Sequence, residues 1–351
     1  MNNFISSLPT DILTELKTSG KKIAMYGTGD GADRILDILN ENKIKVSAVF
    51  ASDGFVRDRT FRGFKVESYS HVKKRLGSFE TVMAFGSSRP EVIENALKIK
   101  NDTGLSAFWI PPAGGQNFTL DFVKKNRDKF KEAENLLADD FSKKVFSDVI
   151  NFRLTGNIDY LFDCETEKEE DINLLRPMKS PVYADIGAYN GDTVIEFSKY
   201  FPDYNKIYAF EPDEKNFRKL RKNTDNLKNV EIFNEALSDE NGYMMFSGGK
   251  GRGSSGATEG GKKVRTAALD NEIKGGVNLI KFDVEGLEEK ALIGSEKIIR
   301  EYKPKIILSC YHKSDDIFSL PLLVNSFRKD YKFYLRRNRC IPDWDMCFYI
   351  V

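Results

Sequence analysis

Four short runs in the second half of this 351-residue chain carry side chains suited to holding a charged small molecule. Asp185-Ile-Gly-Ala-Tyr-Asn-Gly-Asp192 places a carboxylate at each end of a glycine turn, and Phe210-Glu-Pro212, Asn234-Glu-Ala-Leu-Ser-Asp239 and Lys281-Phe-Asp-Val-Glu-Gly286 follow it. Glycines let backbone bend sharply and approach a ligand with no Cβ in the way. A phosphate-binding turn wants N–H groups and little negative charge, so the acids at Asp185 and Asp192 disfavour a pyrophosphate. They suit a ligand carrying an ammonium and a sulfonium, as S-adenosylmethionine does. A glycine turn alone is weak evidence; its pairing with Glu211 adds weight. That residue lies at the separation where dinucleotide-type folds place a ribose-binding acid. The bland alternative is a strand-end acid capped by a proline turn. The 234–239 run falls where an adenine edge would be read, with a polar turn as its bland alternative. Side chains in extended chain repeat every two residues, which predicts Lys281, Asp283 and Glu285 on one face beside the ligand.

Such runs need a frame. Apolar stretches predict strands over 182–186, 206–210, 231–234, 279–282 and 305–309 with helices between most of them, and 332–336 with 346–351 read as a closing antiparallel hairpin. In an open α/β sheet a ligand lies beyond the carboxyl ends of the strands, where all four runs fall. An earlier alternation fills the start of the chain: strand 22–26, the turn Gly27-Thr-Gly-Asp-Gly-Ala32, a helix through Ile35, Leu36, Ile38 and Leu39, strands over 45–50, 81–85 and 107–110, and a helix over 90–100. Alternation of this kind implies parallel sheets with helices on their faces. The predicted fold class is therefore α/β with two Rossmann-like domains, 1–115 and 181–351, joined by a charged helical connector over 116–180. The acidic run 165–171 reads as a solvated face. The glycine-rich stretch Gly248 to Gly261 reads as an accessible insertion, with a lid over the substrate as the sharper alternative.

In order and spacing, the four runs together with Tyr311-His-Lys313 resemble the FkbM-type methyltransferases of the class I S-adenosylmethionine-dependent fold, over about 181–336. The resemblance implies a mostly parallel seven-stranded sheet ending in an antiparallel hairpin. It also implies a cofactor site drawn from Asp185, Gly187, Ala188, Tyr189, Gly191, Asp192, Thr193, Glu211, Pro212, Asn234, Glu235, Ala236 and Asp283. The first motif would cradle the methionine part, Glu211 the ribose, and Asn234 to Ala236 the adenine. The run Cys340 to Met346 looks less typical of that family.

Methyl transfer from a sulfonium is an in-line displacement, so positioning the acceptor is the main task. A sugar or alcohol hydroxyl also needs a base or a metal to draw off its proton. Asp283, Glu285 and His312 are the catalytic candidates, although a lone histidine is more often structural. A divalent metal is an open option at Asp283 and Glu285, but two acids are not a diagnostic ligand set, and no metal ligand is predicted. In the first domain Gly27, Gly29, Ala32 and Asp53 make a minimal dinucleotide-like fingerprint. It is similar to the Rossmann-like domains at the front of sugar-modifying enzymes, partly through Phe61 to Val66. Binding a nucleotide, recognising a sugar nucleotide and docking a partner are equal options for it.

Formal charge is +1, so no overall field draws in nucleic acid or an anionic membrane, and no Asn/Asp-Pro-Pro-Tyr tetrapeptide is present to read a base. Four cysteines without C-x-x-C spacing, no targeting segment and no long apolar run predict a cytoplasmic protein with reduced thiols. The leading expectation is O-methylation of a hydroxyl on a sugar, glycan or other small-molecule natural product. The rivals are an NAD(P)-dependent or sugar-nucleotide-binding enzyme using the first domain, and a non-catalytic cofactor-binding protein. Oligomeric state, including a homo-oligomer, is left open.

Overall fold

The structure, a computed structural model, describes residues 8–29, 31–246 and 261–351. Two large sheets organise it. The first joins β1 (Lys22–Tyr26), β2 (Val46–Ala51), β3 (Thr60–Phe61), β4 (Phe64–Ser68), β5 (Phe79–Met83) and β6 (Leu105–Ala107) in the order β3-β4-β2-β1-β5-β6. All its pairings are parallel except the β3–β4 hairpin. Next come β7 (Val182–Ile186), β8 (Lys206–Phe210), β9 (Val230–Phe233), the short β10 (Ala236–Leu237), β11 (Gly242–Phe246), β12 (Lys262–Ala267), β13 (Leu279–Phe282), β14 (Lys305–Ser309), β15 (Phe333–Arg337) and β16 (Met346–Ile350). Seven of them form the second large sheet in the order β15-β16-β14-β13-β7-β8-β9, and β10, β12 and β11 form a small one.

Pairing from β14 across to β9 is parallel, and β16 runs antiparallel to both β14 and β15. The central strand β7 is buried along most of its length, as expected of a strand covered on both faces. Strands β5 and β6 lie two residues earlier than their apolar runs suggest, because 84–85 and 108–110 are apolar yet pack as loops over the strand ends. The β3–β4 hairpin and the helix Tyr69–Leu76 were not predicted; only two of the hairpin's residues on β3 pair, too few to leave a periodic signal. The 248–260 part of the glycine-rich stretch, where a lid is the sharper expectation, lies outside the described residues.

Five helices fill 120–175, and they are structural cement rather than a loose tether. Phe130 sits 4.8 Å from Phe318 ring to ring, and one continuous apolar core runs from Phe50 of the first sheet through Phe130 and Phe146 to Phe348 of the second. Arg153 and Asp343 form an ion pair at 2.8 Å with both side chains fully buried, and the guanidinium lies 4.0 Å from the Trp109 ring. Such a pair is costly to desolvate, so it holds only because charge and ring surround it on both sides.

Candidate active site

β7 ends at Ile186 and the chain turns at Gly187, where φ is +90°. A Cβ built there would lie 1.8 Å from the backbone oxygen of Asp283, so only glycine lets these two strand ends come so close. Tyr189, in the same turn, holds a φ of +47°, uncommon for a residue with a side chain. Its N–H donates to Glu211 Oε2 at 2.9 Å, while the Asp213 N–H donates to Glu211 Oε1 at 2.8 Å. The first turn and the end of β8 are thereby tied through one carboxylate. Behind them Asp185 is fully buried: Thr193 Oγ1 donates to its Oδ2 at 2.5 Å, and Lys281 Nζ lies 3.9 Å from its Oδ1.

These strand ends enclose a cavity of about 280 Å³. Of the residues expected from sequence, Gly187, Tyr189, Asp192, Thr193, Glu211, Pro212, Glu235, Ala236, Asp283 and Glu285 line it. Asp185, Ala188, Gly191, Asn234 and His312 are not among its lining residues. Asn234 departs most from expectation, since its amide donates to the carbonyls of Glu211 at 2.8 Å and Pro212 at 3.2 Å, fixing the β8 loop instead of facing a ligand. Glu235 takes the cavity position: Arg265 holds its Oε1 at 2.8 Å, and its buried Oε2 has no hydrogen-bond partner. Burial pushes the Glu211 carboxyl up to about 7 against the two N–H donors, and burial likewise raises Asp185 and Glu235 above the usual carboxylate range. Asp283 moves the other way: burial opposes its charge, but Lys281, at 3.2 Å, and His312 hold it ionised.

Lys281, Asp283 and Glu285 converge, but not through strand alternation. β13 stops at Phe282, and Glu285 is itself left-handed, with φ of +53°. A side-chain-bearing residue held there is locally strained, a feature that collects at functional sites. His312 is fully buried behind both acids, with Nε2 3.6 Å from Asp283 Oδ1 and 3.4 Å from Glu285 Oε2, and Nδ1 2.9 Å from Glu288 Oε1. Burial opposes its charge, yet Glu288, Asp283 and Glu285 outweigh burial and raise it to about 10. His312 does not line the cavity, whereas Asp283 and Glu285 do and can reach an acceptor hydroxyl there.

The glycine turn of the first sheet is shaped differently. Cβ atoms built on Gly27 and Gly29 would meet the Phe85 side chain at 2.3 and 2.6 Å, so both glycines leave room for it. Ala32 is buried at the start of its helix, and Asp53 accepts from the Ser70 N–H at 3.1 Å and from the Ser70 hydroxyl. The strand ends of that sheet brace the cavity. Ser87 and Ile341 exchange backbone hydrogen bonds at 2.7 and 3.0 Å, and Gly86 leaves room for the ring of Trp344, which lines the cavity beside Asp345. The Ala113 N–H donates to the His312 carbonyl at 3.0 Å, and Ser314 Oγ to the Gln116 carbonyl at 2.5 Å.

Tyr311, Trp344 and Asp345 line the cavity and Glu288 stands behind it against His312, and none of the four is among the expected residues. Glu288 follows Glu285 by three residues in the first turn of the helix Glu288–Ile293, a spacing that was legible. Trp344 gave a weaker signal, a lone aromatic between two acids in a hairpin loop.

Residues 185–333 match the model of the methyltransferase FkbM domain. Among solved structures, the methyltransferase FkbM from Methylobacillus flagellatus KT is similar at 20% identity and a TM-score of 0.74, covering 100% of this chain and 96% of that one. An rRNA methylase from Streptococcus thermophilus is similar at 15% identity and a TM-score of 0.36, over 52% of this chain and 93% of that one. No curated protein matches the sequence. The first of these likenesses spans both large sheets, so the braced two-sheet fold is shared as a whole. Residues 185–333 form a methyltransferase domain of the FkbM family.

Proposed function

We propose that this chain is an S-adenosylmethionine-dependent O-methyltransferase acting on a hydroxyl of a sugar, glycan or other small-molecule natural product. The observation that carries the reading is the cavity at the ends of β7, β8 and β13, where Asp192, Glu196, Glu211, Glu235, Asp283, Glu285 and Asp345 line the wall against two lysines, Lys168 and Lys281. An anionic wall suits a cofactor with an ammonium and a sulfonium and disfavours a dinucleotide diphosphate. Glu211 would accept from the ribose hydroxyls, and the unpartnered Glu235 Oε2 would accept from an adenine amino group. Asp283 or Glu285 would take the hydroxyl proton as oxygen attacks the methyl carbon and the thioether leaves as S-adenosylhomocysteine. The four free cysteines support a reducing, cytoplasmic setting.

Thermal shift with S-adenosylmethionine, S-adenosylhomocysteine, NAD(P) and sugar nucleotides tests the reading, followed by transfer of labelled methyl to a panel of glycans and polyols. Stabilisation by the two adenosyl ligands and label in an alkali-stable ether support it. Stabilisation by NAD(P) alone refutes it.

A further inference from the structure

We propose that Asp283, Glu288 and His312 form a binding site for one first-row divalent cation, of the Mn²⁺ or Zn²⁺ kind, in the floor of the methyl-transfer cavity. One ligand atom from each residue lies within 4.8 Å of the others. Metal–nitrogen and metal–oxygen bonds of about 2.0–2.2 Å put neighbouring ligand atoms roughly 3–4 Å apart, so small side-chain adjustments close the set. Two carboxylates with one imidazole suit a first-row transition ion, whereas Mg²⁺ and Ca²⁺ prefer oxygen ligands throughout.

Two independent observations point to a cation. The first is unused ligand capacity in dry surroundings. Glu288 is 1% exposed and His312 fully buried, yet Glu288 Oε2 and both ring nitrogens of His312 have no hydrogen-bond partner. Nδ1 approaches Glu288 Oε1 at 2.9 Å, which leaves Nε2 as the more open of the two nitrogens. Glu288 Oε1, by contrast, is held by the Val284 N–H at 3.0 Å, which fixes the carboxylate for Oε2 to point elsewhere. Buried polar atoms left open in this way are uncommon unless something fills them.

The second is charge. Asp185, Asp283, Glu285, Glu288 and Asp316 surround the spot, against Lys281, His312 and, beside Asp316, Lys313. Acids outnumber bases around Glu288 and His312, which are shielded from water and where surplus negative charge is costly. A divalent cation removes the surplus.

Because Asp283 lines the cavity while Glu288 and His312 lie behind it, such an ion would have its open side toward the acceptor. There it would draw electron density from a hydroxyl and ease loss of its proton to Glu285. That last role rests on the methyl-transfer reading; the metal binding itself does not.

The test uses the full chain, stripped with chelator and dialysed, and titrated with MnCl₂ alone. One Mn²⁺ per chain is expected, with pulsed electron paramagnetic resonance showing coupling to a single imidazole nitrogen. Glu288→Gln and His312→Gln should each weaken the binding by about tenfold or more, and calorimetric affinity for S-adenosylhomocysteine should change by less than twofold. Absence of saturable binding, or bound Mn²⁺ without nitrogen coupling, overturns the site. If the variants fail to fold, the nitrogen coupling of the unaltered chain decides. Mn²⁺ binding without any S-adenosylhomocysteine binding would keep the metal site and reject the proposed cofactor.

Discussion

Replacing Glu211 by glutamine separates what this carboxylate does for the ligand from what it does to the fold. Its side chain is buried and accepts from the N–H groups of Tyr189 and Asp213, and it titrates at about 7, where the ordinary value is 4.5. A displacement of that size corresponds to about 3 kcal/mol of differential stability. The sign follows from which form the fold prefers. Below pH 4.5 the group is neutral in both folded and unfolded chains and contributes nothing. As pH climbs from 4.5 to 7 the unfolded chain ionises first, so the folded state loses relative stability, and the loss is complete above 7. Other buried acids titrate nearby, Asp171 at about 6 and Asp316 at about 7, so only the difference between wild type and Glu211→Gln isolates this residue. Measured by urea denaturation at several pH values, the variant should gain on wild type by about 3 kcal/mol between pH 4.5 and 7.5.

Cofactor binding should show the opposite face of the same ionisation. If only the carboxylate accepts from the ribose, wild-type affinity for S-adenosylhomocysteine rises about eightfold from pH 6 to 7.5 as the ionised fraction grows. The variant should bind more weakly and without that slope. A wild-type affinity that is flat or weakens over this range, or a variant that keeps the wild-type slope, refutes the assignment of Glu211 to the ligand.

Further outcomes follow from particular contacts. Gly187→Ala places a Cβ against the Asp283 carbonyl at a φ that disfavours side chains, and should destabilise the chain by at least about 2 kcal/mol in chemical denaturation while abolishing cofactor binding. Asp343→Ala leaves Arg153 buried beside Trp109 without its partner, and should cost about 3–5 kcal/mol. The double change Arg153→Met with Asp343→Leu should recover much of that loss; failure to recover would mean that the pair is more than compensated charge. Asp283→Asn should lower turnover by about a hundredfold or more with cofactor affinity little changed. Full activity in that variant would remove Asp283 from the chemistry.

The frame was legible because its signals are local. Strands β7, β8, β13 and β14 are short apolar runs ending in charged or glycine-bearing turns, and the sequence places Gly187 and Glu211 at those ends without any knowledge of distant contacts. What escaped depends on packing between distant parts. Nothing local distinguishes Asn234, which turns to the backbone, from Glu235, which faces the cavity. At the Gly27 turn, Phe85 from another strand end packs against both glycines, a contact that no local pattern shows. His312 was found by type and position, but its burial behind Asp283 and its pairing with Glu288 arise only when β13, β14 and the following helix meet. The bracing of Trp344 by Gly86 joins residues from opposite ends of the chain, beyond the reach of any window of sequence.

The most direct measurement is a crystal structure of the chain grown with S-adenosylhomocysteine. The account predicts density for one ligand per chain at the ends of β7, β8 and β13, its ribose on Glu211, its adenine beside Glu235 and its sulfur toward Asp283. Density at the Gly27 turn instead, or an empty cavity at saturating ligand, would contradict it.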